Sequence, residues 1–194
     1  MLNTIKIWQN RYFHFWDCLN ILRAGILGAN DGIISVSGIV LGAVGADLSN
    51  TTLFISGISG MIAGACSMAG GEYVSVSAQK EVQLSKLNQV ATVDATRLRE
   101  IDLLNPIHAA GTSFVSFMLG ALIPLLAISL STPAWRLINT ILAMVVALSL
   151  NATVSAKRAT ASLPKVIFRN VMVGIATALI TYLVGLLLGG QVAA

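Results

Sequence analysis

The sequence predicts an all-α, polytopic integral membrane protein with five transmembrane helices per subunit. Three observations carry that prediction. The 194 residues are 56% hydrophobic and only 10% charged, with a mean hydropathy of +0.82, whereas a soluble domain carries about 25% charged residues. Five apolar segments, near 25–46, 51–78, 106–130, 135–156 and 169–190, are each long enough to cross a hydrocarbon core of about 30 Å, which takes about 20 helical residues. Seventeen glycines beside only 6% aromatic residues suit helices packed closely through small side chains.

Residues 1–24 precede the first span. Trp8, Tyr12, Phe15, Trp16 and Leu19 recur at i, i+4, i+7, i+8 and i+11, one face of a helix, with Lys6 and Arg11 close by. This describes an amphipathic helix on the inner leaflet or, with little difference for function, an aromatic anchor for span one. A cleavable signal is not expected, because charged and aromatic residues interrupt any clean apolar run.

The links between spans are short except for a polar stretch, 79–105. It holds eight of the chain's 20 charged side chains: Lys80, Glu81, Lys86, Asp94, Arg97, Arg99, Glu100 and Asp102. Leu84, Leu87, Leu98, Ile101 and Leu104 recur there near helical spacing. The stretch reads as a short helical hairpin or a continuation of span two, not as a separate domain.

The net charge of +4 is a topology signal, not a nucleic-acid footprint. Lys6, Arg11 and Arg23, then Lys80, Lys86, Arg97 and Arg99, then Lys157, Arg158, Lys165 and Arg169 all fall on one side of the five-span arrangement, and only Arg136 falls on the other. Eleven to one, by the positive-inside rule, makes the N-terminus and the linker cytoplasmic and the C-terminus external. Cys18 and Cys66 form neither a disulfide framework nor a CxxC metal site.

Only two acidic residues sit well inside the apolar segments, Asp31 in span one and Glu72 in span two. A carboxylate near the bilayer interior costs roughly 2.5–3.5 kcal/mol or more unless it meets water, a partner or a cation. Asp31 lies several residues deep and reads as functional. Met61, Met68, Glu72, Ser75 and Gln79 share one face of span two by their spacing, and Asp31, Ser35, Gly38 and Gly42 one face of span one. Carboxylate, thioether and hydroxyl groups together describe a site for a divalent first-row metal, and a proton competes for the same carboxylates. The plainer alternatives are that Met61 only packs, that Glu72 snorkels to the interface, and that His108, beside Pro106, is interfacial.

The stretches LGANDGIISVSGIVLGAVGA (27–46) and ISGMIAGACSMAGGEYVSVSAQKE (58–81) resemble the vacuolar iron transporter (VIT) family of iron and manganese transporters. Weaker matches lie in NPIHAAGTSFVSFMLGALIPLL and GIATALITYLVGLLL. The resemblance covers nearly all of the chain from about Arg23. It implies a homodimer of five-helix subunits with the ion path at the subunit interface, moving Fe²⁺ or Mn²⁺ out of the cytoplasm in exchange for protons. Asp31 matches the family's span-one aspartate and Met68 its span-two methionine, both lining that path. GEYVS resembles the version in bacterial-type members and brings Glu72 into the motif. Two departures stand out. The linker lacks the glutamate-rich, metal-collecting extension of plant and fungal members, and Gly60 stands where plant transporters carry an acidic residue.

The resulting expectation is a proton-coupled exporter of Fe²⁺ or Mn²⁺, with Co²⁺ and Zn²⁺ as further candidates, serving metal homeostasis and detoxification. It would sit in the plasma membrane of a bacterium, with no permanently bound cofactor and no nucleic-acid partner. Metal would approach past Gln79 and Glu81, bind between Asp31 and Met68 with Glu72 nearby, and have Met61, Ser35 and Ser75 as weaker contributors. The competing classes are a passive cation channel and a non-transporting membrane scaffold or regulatory subunit. An enzyme is not expected, since no nucleophile–base constellation or cofactor motif is present.

Overall fold

The computed structural model describes the backbone of residues 2–89, 104–159 and 162–192, and the side chains of 18–86, 104–157 and 162–190. The elements in these segments are all helical: α1 (Leu2–Gly45), α2 (Asn50–Gln89), α3 (Pro106–Leu130), a 3₁₀ turn (Pro133–Trp135), α4 (Arg136–Ala159) and α5 (Leu163–Val192). Each helix contains a stretch long and apolar enough to span a membrane: Cys18–Gly45, Asn50–Lys86, Pro106–Leu130, Pro133–Lys157 and Leu163–Gly190.

α1 runs unbroken from the N-terminal segment into its span, so no bend marks residue 24. α2 likewise continues past its span to Gln89, which favours the continuation reading for the first part of the linker. Asp94, Arg97, Arg99, Glu100 and Asp102 lie outside the described residues.

Close contacts give the topology. Gly25 faces Thr112, Gly28 faces Ser113 and Gly32 faces Phe117, so α1 and α3 ascend together. Gly42 meets Thr181 and Gly185, and Gly189 meets Ala46, which makes α5 parallel to α1 as well. α2 and α4 run the opposite way: Gly57 touches Val40 and Leu125, Gly60 touches Ile39, and Gly174 of α5 touches Leu148 and Met144 of α4. Arg23, Lys80, Lys86, Lys157, Lys165 and Arg169 therefore share one end of the bundle, and Asp47 and Arg136 lie at the other.

α1 is the central helix and packs on the other four. Small residues make this possible. A Cβ at Gly28 would stand 2.6 Å from the Ser113 carbonyl oxygen, so the two backbones touch there, as expected where helix association depends on close approach. Asn151 of α4 adds a bond from Nδ2 to the Ile26 carbonyl of α1, 3.1 Å. Between α1, α2 and α3 lies the main apolar cluster, including Val36, Val40, Met61, Ala65, Phe117 and Leu125. A second cluster of Ile33, Leu41, Met144, Leu148 and Ala178 joins α1 to α4 and α5. Leucine, isoleucine and valine cover much of the outer surface, with Leu130, Leu187 and Ile107 among the most exposed, as suits a lipid-facing surface.

The helix ends follow local chemistry. Asn105 caps α3, its Oδ1 accepting from the Ile107 and His108 backbone N–H groups at 3.1 and 3.3 Å, with Pro106 in the first turn. α1 ends with Asp47 in the left-handed region, φ 54°, its N–H bonded to Val44 O while Leu48 N–H reaches Ala43 O. This is the reversal that turns the chain into α2.

Candidate functional site

Asp31 sits near the middle of the α1 span, half-buried. Its Oδ1 accepts a hydrogen bond from Ser35 Oγ one turn on, 2.8 Å. Leu27 and Ile39, which flank it around the helix, are 44% and 38% exposed. The carboxylate therefore lies on a flank of the central helix that is only partly covered among the described residues.

The packing of α2 sets the depth of its residues relative to Asp31. Val40 abuts Gly57 and Ile39 abuts Gly60, so residue numbers on this antiparallel pair that add to 97 or 99 share a level. Asp31 thus stands level with residues 66–68, and Met68 with it. Met68 is half-buried against the cluster of Val36, Ala65 and Phe117. Met61, two turns further from the positively charged end, is a buried member of that cluster, and its sulfur packs rather than opens onto the flank of Asp31.

Glu72 departs from the snorkelling alternative. It is buried, one turn from Met68, and its Oε1 accepts from the Arg23 guanidinium of α1 at 2.5 Å. The same guanidinium is bonded to Asn20 Oδ1, Nε at 3.3 Å and Nη2 at 3.2 Å. Arg23 had entered the sequence reading only as a topology charge, so its partnership with Glu72 was missed.

The remaining candidates are scattered. The buried stripe of α2 advances by fours through Met68, Glu72, Val76 and half-buried Lys80, and each such step drifts about 40° on a helix of 3.6 residues per turn. Ser75 and Gln79, which share a face with Met61 by spacing, are consequently exposed, with Gln79 Nε2 donating to Ser75 Oγ at 3.4 Å. Glu81 is exposed at the edge of a cavity of about 560 Å³ that Tyr73, Ser77, Lys80 and Leu104 also line. His108 is exposed at the start of α3. Cys18 and Cys66 are both free and exposed. The space beside Gly60 is filled by the end of the Ile39 side chain, so an acidic group there would have to displace it.

Among the described residues, no three His, Cys, Asp or Glu side chains gather into a cluster that could hold a metal ion. The described residues offer a carboxylate on a partly open flank, a thioether at its level, and a second, buried carboxylate already paired.

Fold and site together define a five-helix membrane protein with acidic groups inside its spans. The sequence matches the family model described as the VIT family over residues 22–100 and 88–186. It is 34% identical over 170 residues to "Vacuolar iron transporter homolog 2" of Arabidopsis thaliana, covering 85% of each chain. It is 42% identical over 108 residues to "Vacuolar iron transporter homolog 2" of Oryza sativa subsp. japonica, covering 54% of this chain and 57% of the relative. It is 44% identical over 110 residues to "Vacuolar iron transporter homolog 5" of the same organism, with 56% and 51% covered. The chain belongs to the VIT family. It spans about half the length of the two rice relatives and most of the Arabidopsis one. These relatives are plant proteins named for vacuolar iron transport, and they give no support to the bacterial plasma membrane expected above.

Proposed function

We propose that this protein transports a divalent transition-metal ion, Fe²⁺ or Mn²⁺, out of the cytoplasm in exchange for protons, as a homodimer with the path along the partly open flank of α1. The observation that carries the proposal is Asp31: a half-buried carboxylate at mid-span on a flank left partly open among the described residues. Facing lipid, such a group costs roughly 2.5–3.5 kcal/mol or more, and a second subunit laid against the flank removes that exposure. Ser59, Ala63 and Ser67, exposed on the neighbouring face of α2, let another helix approach closely. Two Asp31 carboxylates facing each other across such an interface, with a Met68 sulfur at the same level on either side, make an oxygen-and-sulfur donor set suited to a first-row transition metal.

The proton step follows from the same groups. Two carboxylates brought together out of bulk water do not stay empty and charged: they hold either a metal ion or protons. Exchange of one for the other is antiport. The excess of Lys and Arg at the Arg23 end makes that end cytoplasmic, so metal approaches past Gln79, Glu81 and Glu72 and leaves at the Asp47 end. The names of the relatives support iron as cargo, and Met68 supports a transition metal over calcium or magnesium.

Purified protein in liposomes tests this directly, with Fe²⁺, Mn²⁺, Co²⁺ and Zn²⁺ supplied outside and internal pH followed at the same time. An acidic lumen should accelerate uptake of Fe²⁺ or Mn²⁺, and the lumen should become more alkaline as metal enters. Uptake indifferent to the pH gradient would mean a passive channel, and no uptake of any metal would leave a scaffold.

A further inference from the structure

The ion pair between Arg23 and Glu72 is lopsided. The Glu72 side chain is 7% exposed and that of Arg23 is 50% exposed. Glu72 is fixed on the inward stripe of α2, between Met68 and its apolar cluster on one side and the cluster of Ala24, Val76, Leu104 and Ala109 on the other. The carboxylate is almost wholly covered by protein. The guanidinium is not, and it sits on a long flexible stem at the positively charged end of the bundle. It also has a second acceptor in hand, Asn20 Oδ1, one turn nearer that end. Taking both ions of a pair out of water costs desolvation that their attraction need not repay, so the half-exposed partner is the one more easily released. This pair buries the anion and leaves the cation free to go.

We propose that Arg23 is a resident cation on Glu72 that an incoming divalent metal ion must displace, making the pair a gate at the cytoplasmic mouth of the path. The inference rests on the reading of the chain as a divalent-cation transporter. Glu72 lies one turn below Met68, about 6 Å along α2 at 1.5 Å per residue, on the side from which metal approaches. With Arg23 in place the carboxylate is neutralised and offers little to a passing monovalent ion. A divalent ion brings twice the charge and releases the guanidinium to Asn20 and water. Removing an unpaired buried carboxylate from consideration is what the arginine does between cycles, since such a group left empty is strongly disfavoured. Arg23 is thus a positioning and selectivity residue that acts through Glu72 and does not itself touch the cargo.

The test is Mn²⁺ binding to the purified full-length protein, followed by the electron paramagnetic resonance signal of free Mn²⁺. Wild type, Arg23→Gln, Arg23→Lys, Glu72→Gln and the double variant Arg23→Gln/Glu72→Gln are compared, with thermal melting of each. Arg23→Gln should bind Mn²⁺ at least tenfold more tightly than wild type, and the gain should vanish in the double variant. Arg23→Lys, which keeps the charge but cannot fork between Glu72 and Asn20, should bind at least threefold more tightly, and it carries the test should Arg23→Gln fail to fold. Wild-type affinity in Arg23→Gln or Arg23→Lys, or a gain that survives Glu72→Gln, would overturn the gate and leave the transport reading standing. No Mn²⁺ or Fe²⁺ binding in wild type or any variant would overturn both.

Discussion

One methyl group added at Gly28 separates two kinds of glycine in this bundle. The Cβ of Gly28→Ala would lie 2.6 Å from the Ser113 carbonyl oxygen, against 3.4 Å for an ordinary contact, so α1 and α3 must part locally by about 0.8 Å (3.4 less 2.6). Both groups that collide belong to rigid helical backbone, and overpacking of this kind costs roughly 1–3 kcal/mol. Alanine is also the better helix former by about 0.8–1.0 kcal/mol, which offsets part of that loss. Gly111, on α3, has nothing within 4 Å of its Cβ position, so Gly111→Ala receives the helix preference alone. The difference between the two variants isolates the steric cost. At roughly 2–4 °C per kcal/mol for a chain of this size, Gly28→Ala should melt about 2–12 °C below Gly111→Ala. Both are measured by thermal unfolding of purified protein in one detergent. Asp31 is the next turn of α1, so Gly28→Ala should also slow metal flux while Gly111→Ala leaves it unchanged. Equal melting temperatures would refute the backbone contact and the central position of α1 that depends on it.

Other perturbations probe separate parts of the account. Asn105→Ala removes the α3 cap and should lower stability by about 1 kcal/mol, read as a fall in melting temperature without loss of helical circular dichroism. Asp47→Gly, at a position with φ 54°, should stabilise the α1–α2 turn by up to about 1 kcal/mol, and an unchanged or lower melting temperature would count against the turn geometry. Met61→Leu, in a packed core, should cost less than about 1.5 kcal/mol and leave transport intact. Met68→Leu should retain the fold but weaken Mn²⁺ and Fe²⁺ flux at least several-fold, and equal flux in the two variants would remove Met68 from the path.

Much of this structure was legible in composition and periodicity. Five apolar runs gave five helices because backbone groups in hydrocarbon must bond within their own segment, so length and hydropathy leave little freedom. Asp31 stood out for the same reason, as a charge inside such a run. Helical spacing placed Met61, Met68 and Glu72 on one inward stripe. It could not assign them different roles, because burial of Met61 depends on Val36 and Phe117 from other helices. Spacing also carried Ser75 and Gln79 onto that stripe, whereas the real one drifts along α2 and leaves both exposed.

The pairing of Arg23 with Glu72 was hidden by a sequence separation of 49. One signal was available. Arg23 lies 23 residues before Ala46 and Glu72 lies 23 residues after Ser49, so a hairpin closed by the turn at 46–49 brings them to one depth. Counting outward from short turns finds opposite charges that share a level. It cannot say which of them is buried, and that asymmetry is what suggests a gate.

Metal flux through Asp31→Ala in liposomes tests the central claim most directly, with uptake of Mn²⁺ and internal pH recorded together against wild type. The account predicts that the variant folds and elutes as wild type does, yet neither takes up Mn²⁺ nor alkalinises an acidic lumen. Full uptake with wild-type pH change in Asp31→Ala would contradict it.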